Sequence, residues 1–452
     1  MRDLTKGGET KTIIFFALPM LFGNLFQQFY NMVDSWVVGR FVGTDALAAV
    51  GTCFPVIFLM LSLIMGVTMG TSVLVSQYFG AKDYERVRKA VDAGYIVIFW
   101  AALAITAVGL ASAGLIMRLL GVPPEILPQA TAYLRIIFAG SLVSFGYNAV
   151  SAILRGLGDS KTPTVLLIIA TVVNVVLDLV FVAVFHWGVE GAAWATVISQ
   201  GISFLGSFFI LNERNPYARI NFRDLKFDRE VFKLSLRIGL PTGVQQTLVA
   251  AGMMVLTRIV NGFGAASMAG FTAASRLDTL ASMPAMNLGN ALSTFTGQNL
   301  GAGKPERVRR GHRSAILVGA AFSVATSILV ALLGGPLVSI FSADPAVIEV
   351  GRRYLLIVGS FYILFSTMFI NNGLLRGAGD AFIPMISTIL ALWVVRVPSA
   401  MLFAGPLGLG TDGIWWSIPA GWLVGAAFTT LYYRGGRWKN KVLVRPLPDL
   451  ES

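Results

Sequence analysis

Charge, cysteine and histidine are scarce in this sequence, and each scarcity excludes a class of protein. Only 13% of the 452 residues are charged, whereas soluble globular proteins average about 25%. Because 55% of the residues are hydrophobic, a water-soluble enzyme and a disordered or fibrous protein are excluded. A single cysteine, Cys53, excludes an internal disulfide and a cysteine metal cluster. His186 and His312 lie too far apart in sequence to predict a histidine-built metal site.

Apolar runs of membrane-spanning length occupy most of the chain. A transmembrane helix needs about 20 predominantly apolar residues, and the mean hydropathy of the whole chain is +0.72. The runs predict twelve helices, at residues 12–38, 47–78, 91–117, 131–154, 164–186, 190–211, 236–261, 267–299, 313–341, 351–374, 384–406 and 412–433.

Lysine and arginine are distributed unevenly between the two sides of this twelve-helix arrangement. One side carries 27 of the 35 basic residues, and the other side carries five. Because cytoplasmic loops are enriched in lysine and arginine, we expect a multi-pass protein of the plasma or inner cell membrane with both termini cytoplasmic. The net charge of +12 then reflects topology, so the lipid bilayer is the expected partner and nucleic acid is not.

The chain contains an internal repeat at a spacing of 221 residues. Residues 77–88 match residues 298–309 at seven of twelve positions, and residues 154–159 match 375–380. Two halves of six helices cross the membrane in the same direction, as in transporters built from parallel repeats. The predicted fold is an all-α polytopic membrane protein with twelve transmembrane helices in two pseudo-symmetric six-helix lobes. We expect lobes at 1–212 and 236–433, a cytoplasmic linker at 213–235 and a cytoplasmic tail at 434–452.

Asp34 is an ionisable residue inside the first predicted span. Such residues are costly in a membrane and usually functional. Asn24, Gln27, Asn31 and Asp34 are spaced 3, 4 and 3 residues apart, which predicts a polar stripe on one helical face. The alternative is that Asp34 lies near the outer end of the helix and meets only water or Arg40.

Two further polar pairs lie in the fifth and sixth spans, Asn174 with Asp178 and Thr196 with Gln200, each four residues apart. The two carboxylates, Asp34 and Asp178, could share a proton, because burial and a like charge both disfavour ionisation. They could equally supply oxygen ligands to Na⁺, as hard cations prefer. At the repeat spacing, Asn174 and Asp178 correspond to Val395 and Ser399, so the predicted ion site is confined to the N-terminal half.

The intramembrane charges of the second half indicate less about function. Arg276 and Asp278 lie in the eighth span, where structural and substrate-binding roles are both open, and Arg396 is expected at a helix end or in packing. Met253, Met283 and Met286 predict an adaptable cavity wall, with ordinary core packing as the alternative. Pro19 predicts a kink in the first helix.

Several motifs together resemble those of the multidrug and toxic compound extrusion (MATE) transporters over nearly the whole chain. They are Pro19, Val33-Asp34, Gly39-Arg40, the segment 43–51, the Gln77-x-x-Gly-Ala81 and 154–159 motifs, the segment 283–286 and the second-half copies. The resemblance implies two six-helix lobes forming a V and export of amphipathic, often cationic compounds against an inward H⁺ or Na⁺ gradient.

The motifs are most similar to the branch of DNA-damage-inducible F proteins. The resemblance to that branch implies an ion-coupling site formed by Asp34, Asn174, Asp178 and Thr196. It further implies a cavity role for Tyr133 and a conformational hinge at Pro19. The branch of norfloxacin-extruding proteins carries acids in helices 7 and 10, where this chain has Gln245, Gln246, Ser366 and Thr367. No second ion site is therefore expected in the C-terminal lobe.

The leading hypothesis is an alternating-access antiporter that exports amphipathic, cationic drugs or toxic metabolites in exchange for H⁺ or Na⁺. No cofactor is expected, no metal beyond a possible Na⁺, and the protein is expected to be monomeric. The candidate substrate-cavity residues are Gln27, Asn31, Tyr133, Asn148, Gln200, Gln245, Gln246, Met253, Arg276, Asp278, Met283 and Met286.

Three other classes of protein fit the sequence less well than this hypothesis. A lipid-linked oligosaccharide flippase of the same superfamily usually lines its cavity with basic residues, whereas this chain has acids there. A membrane-embedded enzyme needs a nucleophile with a base or a metal cluster inside the spans, and one cysteine and two peripheral histidines do not supply either. A non-transporting scaffold with a duplicated fold has no need of paired intramembrane acids.

Overall fold

The computed structural model describes residues 3–220 and 224–444, and within these ranges the ordered elements are all helical. The predicted linker at 213–235 and tail at 434–452 fall partly outside these ranges, as do the first two residues of the predicted N-terminal lobe. The boundaries proposed for the lobes, linker and tail stay predictions.

Fifteen α-helices form the described part of the chain. They are α1 (Glu9–Phe41), α2 (Thr44–Gly80), α3 (Tyr84–Leu119), α4 (Leu127–Ala139), α5 (Ser141–Gly156), α6 (Lys161–Asp178), α7 (Gly188–Arg214), α8 (Arg229–Asn261), α9 (Ala265–Gly301), α10 (Pro305–Ser339), α11 (Pro345–Gly359), α12 (Tyr362–Gly377), α13 (Phe382–Thr388), α14 (Val397–Ala404) and α15 (Gly410–Arg434).

Eleven of the twelve predicted membrane helices have counterparts that are long and apolar enough to cross a bilayer. Nine are continuous spans, with α6 and the residues up to Val184 forming one and Phe382–Ala404 forming another. Two more are the bent pairs α4–α5 and α11–α12. The twelfth, α9, has 37 residues but lies outside this set; it carries Arg276, Asp278 and several amides and hydroxyls that lower its hydropathy. The predicted all-α polytopic fold is confirmed.

The predicted helix at 131–154 is not continuous, because α4 and α5 meet at a bend of 47°. Val197 occupies the space where a Cβ on Gly140 would lie, so glycine allows the close approach at the bend. Thr106 Oγ1 donates to the carbonyl oxygen of Phe138 (3.0 Å), and Ser141 Oγ donates to that of Ala102 (3.3 Å). Side-chain hydroxyls thus satisfy backbone oxygens around the break, as a membrane environment requires.

The predicted helix at 351–374 is broken in the same way, by a bend of 54° between α11 and α12. Ser327 Oγ donates to the carbonyl oxygen of Gly359 (2.5 Å), and Ser323 Oγ donates to that of Tyr362 (3.3 Å). These four positions lie 221 residues after Thr106, Phe138, Ala102 and Ser141. The internal repeat therefore preserves the bend and the hydroxyl at Thr106 and Ser327. The second hydroxyl comes from opposite members of the corresponding pairs, Ser141 in the first half and Ser323 in the second.

Two other predicted helices, 164–186 and 384–406, contain π segments. One spans Leu179–Val184 directly after α6, and the other spans Ile389–Arg396 between α13 and α14. π segments inside α-helices are uncommon and frequently lie at functional sites. Asp178 immediately precedes the first segment, and Arg396 is the last residue of the second.

The described chain divides into two units, and both boundaries fall inside helices. The N-terminal unit contains Pro19–Gly239, and the C-terminal unit contains Asp3–Leu18 together with the chain from Leu240 onward. The boundary within α1 falls at Pro19, where a kink is predicted.

The start of α1 and the residues before it are bound firmly within the C-terminal unit. Leu4 N–H donates to Gln298 Oε1 (3.0 Å), and Asn299 donates to Leu4 O (3.2 Å). Glu9 forms ion pairs with Arg307 (3.4 Å) and Arg310 (2.9 Å). One helix is therefore shared between the two units.

Close helix packing at α9 and α12 predicts intolerance to added volume. A Cβ on Gly373 would overlap the backbone of Gly289, whereas a Cβ on Gly51 in α2 would meet nothing within 4 Å. We expect Gly373→Ala to destabilise the protein by about 1–3 kcal/mol through overpacking. The matched Gly51→Ala control should not lower the midpoint of thermal unfolding in detergent. Equal midpoints for the two variants would contradict this packing analysis.

Candidate functional site

Asp34 lies in α1 of the N-terminal unit and is buried, with only 8% of its surface exposed. Tyr30 precedes it by one helical turn, and the Tyr30 hydroxyl forms a 2.9 Å hydrogen bond with Thr196 Oγ1 of α7. The residues of the predicted polar stripe therefore differ in how far they are buried. Gln27 is half-buried, while Asn31 is exposed and bonds only weakly, through its Nδ2, to Gln28 Oε1 (3.4 Å).

Asp178 and Asn174 lie on one row of α6 and are both buried. With its amide nitrogen turned towards Asp178, Asn174 donates to Oδ2 at 2.9 Å, and its oxygen accepts from the backbone N–H of Thr196 at 3.2 Å. The opposite orientation of the amide would place oxygen against oxygen, so the hydrogen-bond network selects this one. Asn174 thus joins Asp178 to the residue that also binds Tyr30.

The two carboxylates are close enough to interact electrostatically. Oδ1 of Asp34 and Oδ1 of Asp178 are buried and have no hydrogen-bond donor among the described residues. In the same ranges neither carboxylate takes part in an ion pair with lysine, arginine or histidine. A carboxylate oxygen can be satisfied only by a donor or a cation, so the site has unfilled capacity for positive charge.

Tyr133 of α4 also belongs to this region, being buried and within electrostatic range of Asp34 and Asp178. The geometry therefore brings together the four predicted ion-coupling residues and Tyr133. Sequence reasoning missed Tyr30, although its position four residues before Asp34 places the two side chains on neighbouring turns of one face.

A second polar row links α5 with α7. Asn148 Nδ2 donates to the carbonyl oxygen of Ser144 (2.8 Å), and the Ser144 hydroxyl donates to Gln200 Oε1. Gln200 lies one helical turn beyond Thr196 in α7. The hydrogen bonds of Ser144 therefore link the predicted cavity residues Asn148 and Gln200 to the helix that carries Thr196. Ser144, which makes the connection, was not predicted.

The other predicted cavity residues lie in the C-terminal unit, in differing environments. Gln245 is buried, and its Nε2 donates to Thr388 Oγ1 (2.7 Å) and to the carbonyl oxygen of Pro384 (3.3 Å). Gln246 and Asp278 are half-buried, and Arg276 is exposed. Of the methionines, Met253 and Met286 are exposed, but Met283 is 6% exposed and packs in the interior.

The comparison with known proteins decides the family. A model of the family named MatE matches the chain twice, over residues 19–180 and 241–402. The chain belongs to the MatE family. The two matched segments are equal in length, and together they cover both halves of the repeat.

Similar proteins extend over nearly the whole chain. The probable multidrug resistance protein YpnP of Bacillus subtilis is 33% identical over 438 residues, which are 97% of each chain. The probable multidrug resistance protein NorM of Thermotoga maritima is 28% identical over 442 residues, covering 96% of this chain and 94% of that protein. A crystal structure of MATE in the bent conformation has a TM-score of 0.91 and 27% identity, covering 97% of both chains. This MatE member is therefore a multi-pass membrane transporter of a multidrug efflux family and not an enzyme.

The Tyr30–Thr196 hydrogen bond can be measured by a double-mutant cycle. Tyr30→Phe and Thr196→Val each remove one partner, and we expect a coupling of about 1 kcal/mol between them in the free energy of unfolding. Tyr147→Phe is the matched control, because the Tyr147 hydroxyl donates instead to the carbonyl oxygen of Pro163. Unfolding in mixed micelles gives the coupling of Thr196→Val with Tyr30→Phe and, as the control, with Tyr147→Phe. A coupling near zero for Tyr30 with Thr196 would contradict the observed geometry.

Proposed function

We propose that this protein is an antiporter that exports amphipathic cationic compounds in exchange for H⁺ or Na⁺. The observation that carries the proposal is the pair of buried carboxylates, Asp34 and Asp178, with unsatisfied oxygens and no basic partner among the described residues. Uncompensated negative charge in a membrane interior is costly, and binding of a cation removes that cost.

The proposed ion site consists of Asp34, Asn174, Asp178 and Thr196, with Tyr30 and Tyr133 beside it. A proton on either carboxylate would end the repulsion between the two and supply an O–H donor to an unsatisfied oxygen. Na⁺ would bind carboxylate and hydroxyl oxygens, the ligands that hard cations prefer. Both ions fit the donor set, and the imposed gradient in the experiment below distinguishes them.

Exchange follows if the ion and the substrate compete for the same negative charge. A site neutralised by H⁺ or Na⁺ loses its attraction for a cationic substrate, and a bound cationic substrate lowers the affinity for the ion. By linkage these two effects are equal in free energy. The row formed by Asn148, Ser144 and Gln200 provides neutral hydrogen-bonding groups beside the charged site.

Pro19 is the proposed conformational hinge. It carries no backbone N–H, which weakens α1 at one point, and the boundary between the two structural units falls at the same residue. Its carbonyl oxygen accepts a 2.9 Å bond from Thr164 Oγ1 within the N-terminal unit. We further propose that the protein is a monomer in the cell membrane. The distribution of lysine and arginine supports the placement of both termini in the cytoplasm.

Gradient-driven efflux from proteoliposomes tests the ion site. The proteoliposomes are loaded with a fluorescent organic cation, and either a pH gradient or a Na⁺ gradient is imposed across their membrane. We expect efflux under one gradient, with Asp34→Asn and Asp178→Asn reduced to the rate of protein-free liposomes because the exchangeable charge is lost. Asp45→Asn, an exposed acid at the start of α2, is the control and should transport normally.

Normal efflux by Asp34→Asn would remove that residue from the mechanism. Failure of the wild type under both gradients would favour a lipid flippase, testable with labelled lipids.

The hinge proposal predicts a separation of binding from transport. Pro19→Ala restores a backbone N–H and stiffens α1, so the transport rate should fall while equilibrium binding of the fluorescent cation is retained. Pro55→Ala, which removes a proline from inside α2, is the matched control. Unchanged transport by Pro19→Ala, measured in the same proteoliposomes, would exclude a hinge role.

A further inference from the structure

A cavity of about 550 Å³ lies in the N-terminal unit, where α7 ends and the chain enters the 3₁₀ turn Pro216–Ala218. Its volume falls within the range of about 300–1,000 Å³ that is usual for small-molecule sites. Asn212 in its wall lies about 24 Å along α7 from Thr196, at 1.5 Å of rise per residue, so the cavity is distinct from the carboxylate site. It is lined by Phe209, Asn212, Glu213, Arg219 and Ile220.

The chain between residues 212 and 220 is a closed loop that gives this cavity a fixed wall. Asn212 Nδ2 donates to the carbonyl oxygen of Ile220 (3.3 Å), and Asn212 Oδ1 accepts from the backbone N–H of Ile220 (2.8 Å). At the middle of the loop, the ring of Tyr217 stacks on that of Tyr84, with centroids 4.0 Å apart. Because the loop is held at its ends and at its middle, the cavity is preorganised.

Arg219 is held by one of its five N–H groups and keeps the others for a further partner. Its Nε donates to the carbonyl oxygen of Asn212 (2.8 Å), one of the last four carbonyls of α7, which have no partner within the helix. The two terminal nitrogens have no acceptor in the part of the chain that the structure describes. Terminal N–H groups of arginine match the geometry of a phosphate.

Glu213 places a negative charge in the wall of the same cavity. Both Glu213 and Arg219 are exposed, and neither forms an ion pair with a described residue. The cavity therefore offers one positive and one negative group that do not neutralise each other. A simple anion would be attracted by Arg219 and repelled by Glu213, whereas a ligand with a phosphate and an ammonium group satisfies both.

Phe209 indicates that this ligand comes from the bilayer. It belongs to the span Gly188–Arg214, which is long and apolar enough to cross a membrane, and 66% of its surface is exposed. Exposed apolar side chains of a membrane span contact acyl chains, while arginines at the end of a span lie at the level of the lipid headgroups. The cavity thus combines an acyl-chain contact with charges at headgroup level.

We propose that this cavity binds the phosphoethanolamine headgroup of a membrane phospholipid. Arg219 binds the phosphate, Glu213 accepts hydrogen bonds from the ammonium group, and Phe209 contacts the upper part of an acyl chain. The lipid is a bound partner of the transporter and not an exported substrate, so the site does not depend on ion coupling at Asp34 and Asp178.

Native mass spectrometry of the full-length protein in detergent tests the proposal. Phosphatidylethanolamine and phosphatidylglycerol with identical acyl chains are added separately, and the affinity for the first bound lipid is measured. We expect the wild type to bind phosphatidylethanolamine about threefold to tenfold more tightly, the effect of one charge-assisted hydrogen bond. Because the chains are identical, the difference reports the headgroup.

Two variants separate the roles of the charged residues. Glu213→Gln should weaken phosphatidylethanolamine and strengthen phosphatidylglycerol, because the amide removes a repulsion, and opposite effects on two lipids cannot arise from misfolding. Arg219→Gln should weaken both lipids. Arg214→Gln and Glu190→Gln are the matched controls, since they change exposed charges at the two ends of α7 outside the cavity wall, and they should retain the wild-type affinities.

Three outcomes would overturn the lipid site. They are equal wild-type affinities for the two lipids, a Glu213→Gln variant that keeps the wild-type ratio, and an Arg219→Gln variant that keeps both wild-type affinities. Free phosphoethanolamine distinguishes a soluble ligand from a lipid. We expect no displacement of the lipid by an equal concentration of it, and displacement would assign the cavity to a soluble molecule. All these readouts are affinities for lipids, so none of them bears on the proposed export function.

Discussion

The constraint on which the rest of this structure depends is that a chain inside a bilayer must satisfy its own backbone hydrogen bonds. Continuous helices meet this requirement directly, so any interruption needs a side chain that replaces the missing partner. The bends between α4 and α5 and between α11 and α12 show how this is done. Hydroxyls of Thr106, Ser141, Ser323 and Ser327 donate to carbonyl oxygens around the two breaks. The hydroxyls of Thr106 and Ser327 keep the repeat spacing, which indicates that the bends are built into the fold.

The same requirement gives meaning to polar atoms that are left unsatisfied. A buried carboxylate oxygen without a donor is expensive, and Asp34 and Asp178 each have one. Neighbouring groups hold the rest of the site in a fixed arrangement: Asn174 binds Asp178, and Thr196 binds both Asn174 and Tyr30. The unsatisfied oxygens therefore belong to an ordered hydrogen-bond network.

The two halves of the repeat have kept the scaffold and diverged in charge. Asp34 and Asp178 of the N-terminal unit have no basic ion-pair partner in the described part of the chain, whereas Asp278 of the C-terminal unit accepts a hydrogen bond from Tyr362. Asp178 directly precedes one π segment, and Arg396 ends the other. The two segments lie at different positions of the repeat, because Leu179–Val184 corresponds to 400–405 and not to Ile389–Arg396.

Much of this architecture was determined by the sequence alone, because hydrophobic runs, basic loops and an internal repeat are local or periodic signals. They predicted the helical fold and its duplication. Polar residues inside the spans and the family resemblance predicted the four residues Asp34, Asn174, Asp178 and Thr196, which the structure brings together. Only tertiary structure decided the bends, the π segments and the partners of each polar group. Tyr30 and Tyr362 look like ordinary aromatic residues until a hydroxyl or carboxylate from another helix meets them. Arg396 reads as a helix-end residue for the same reason, since its environment is set by helices distant in sequence.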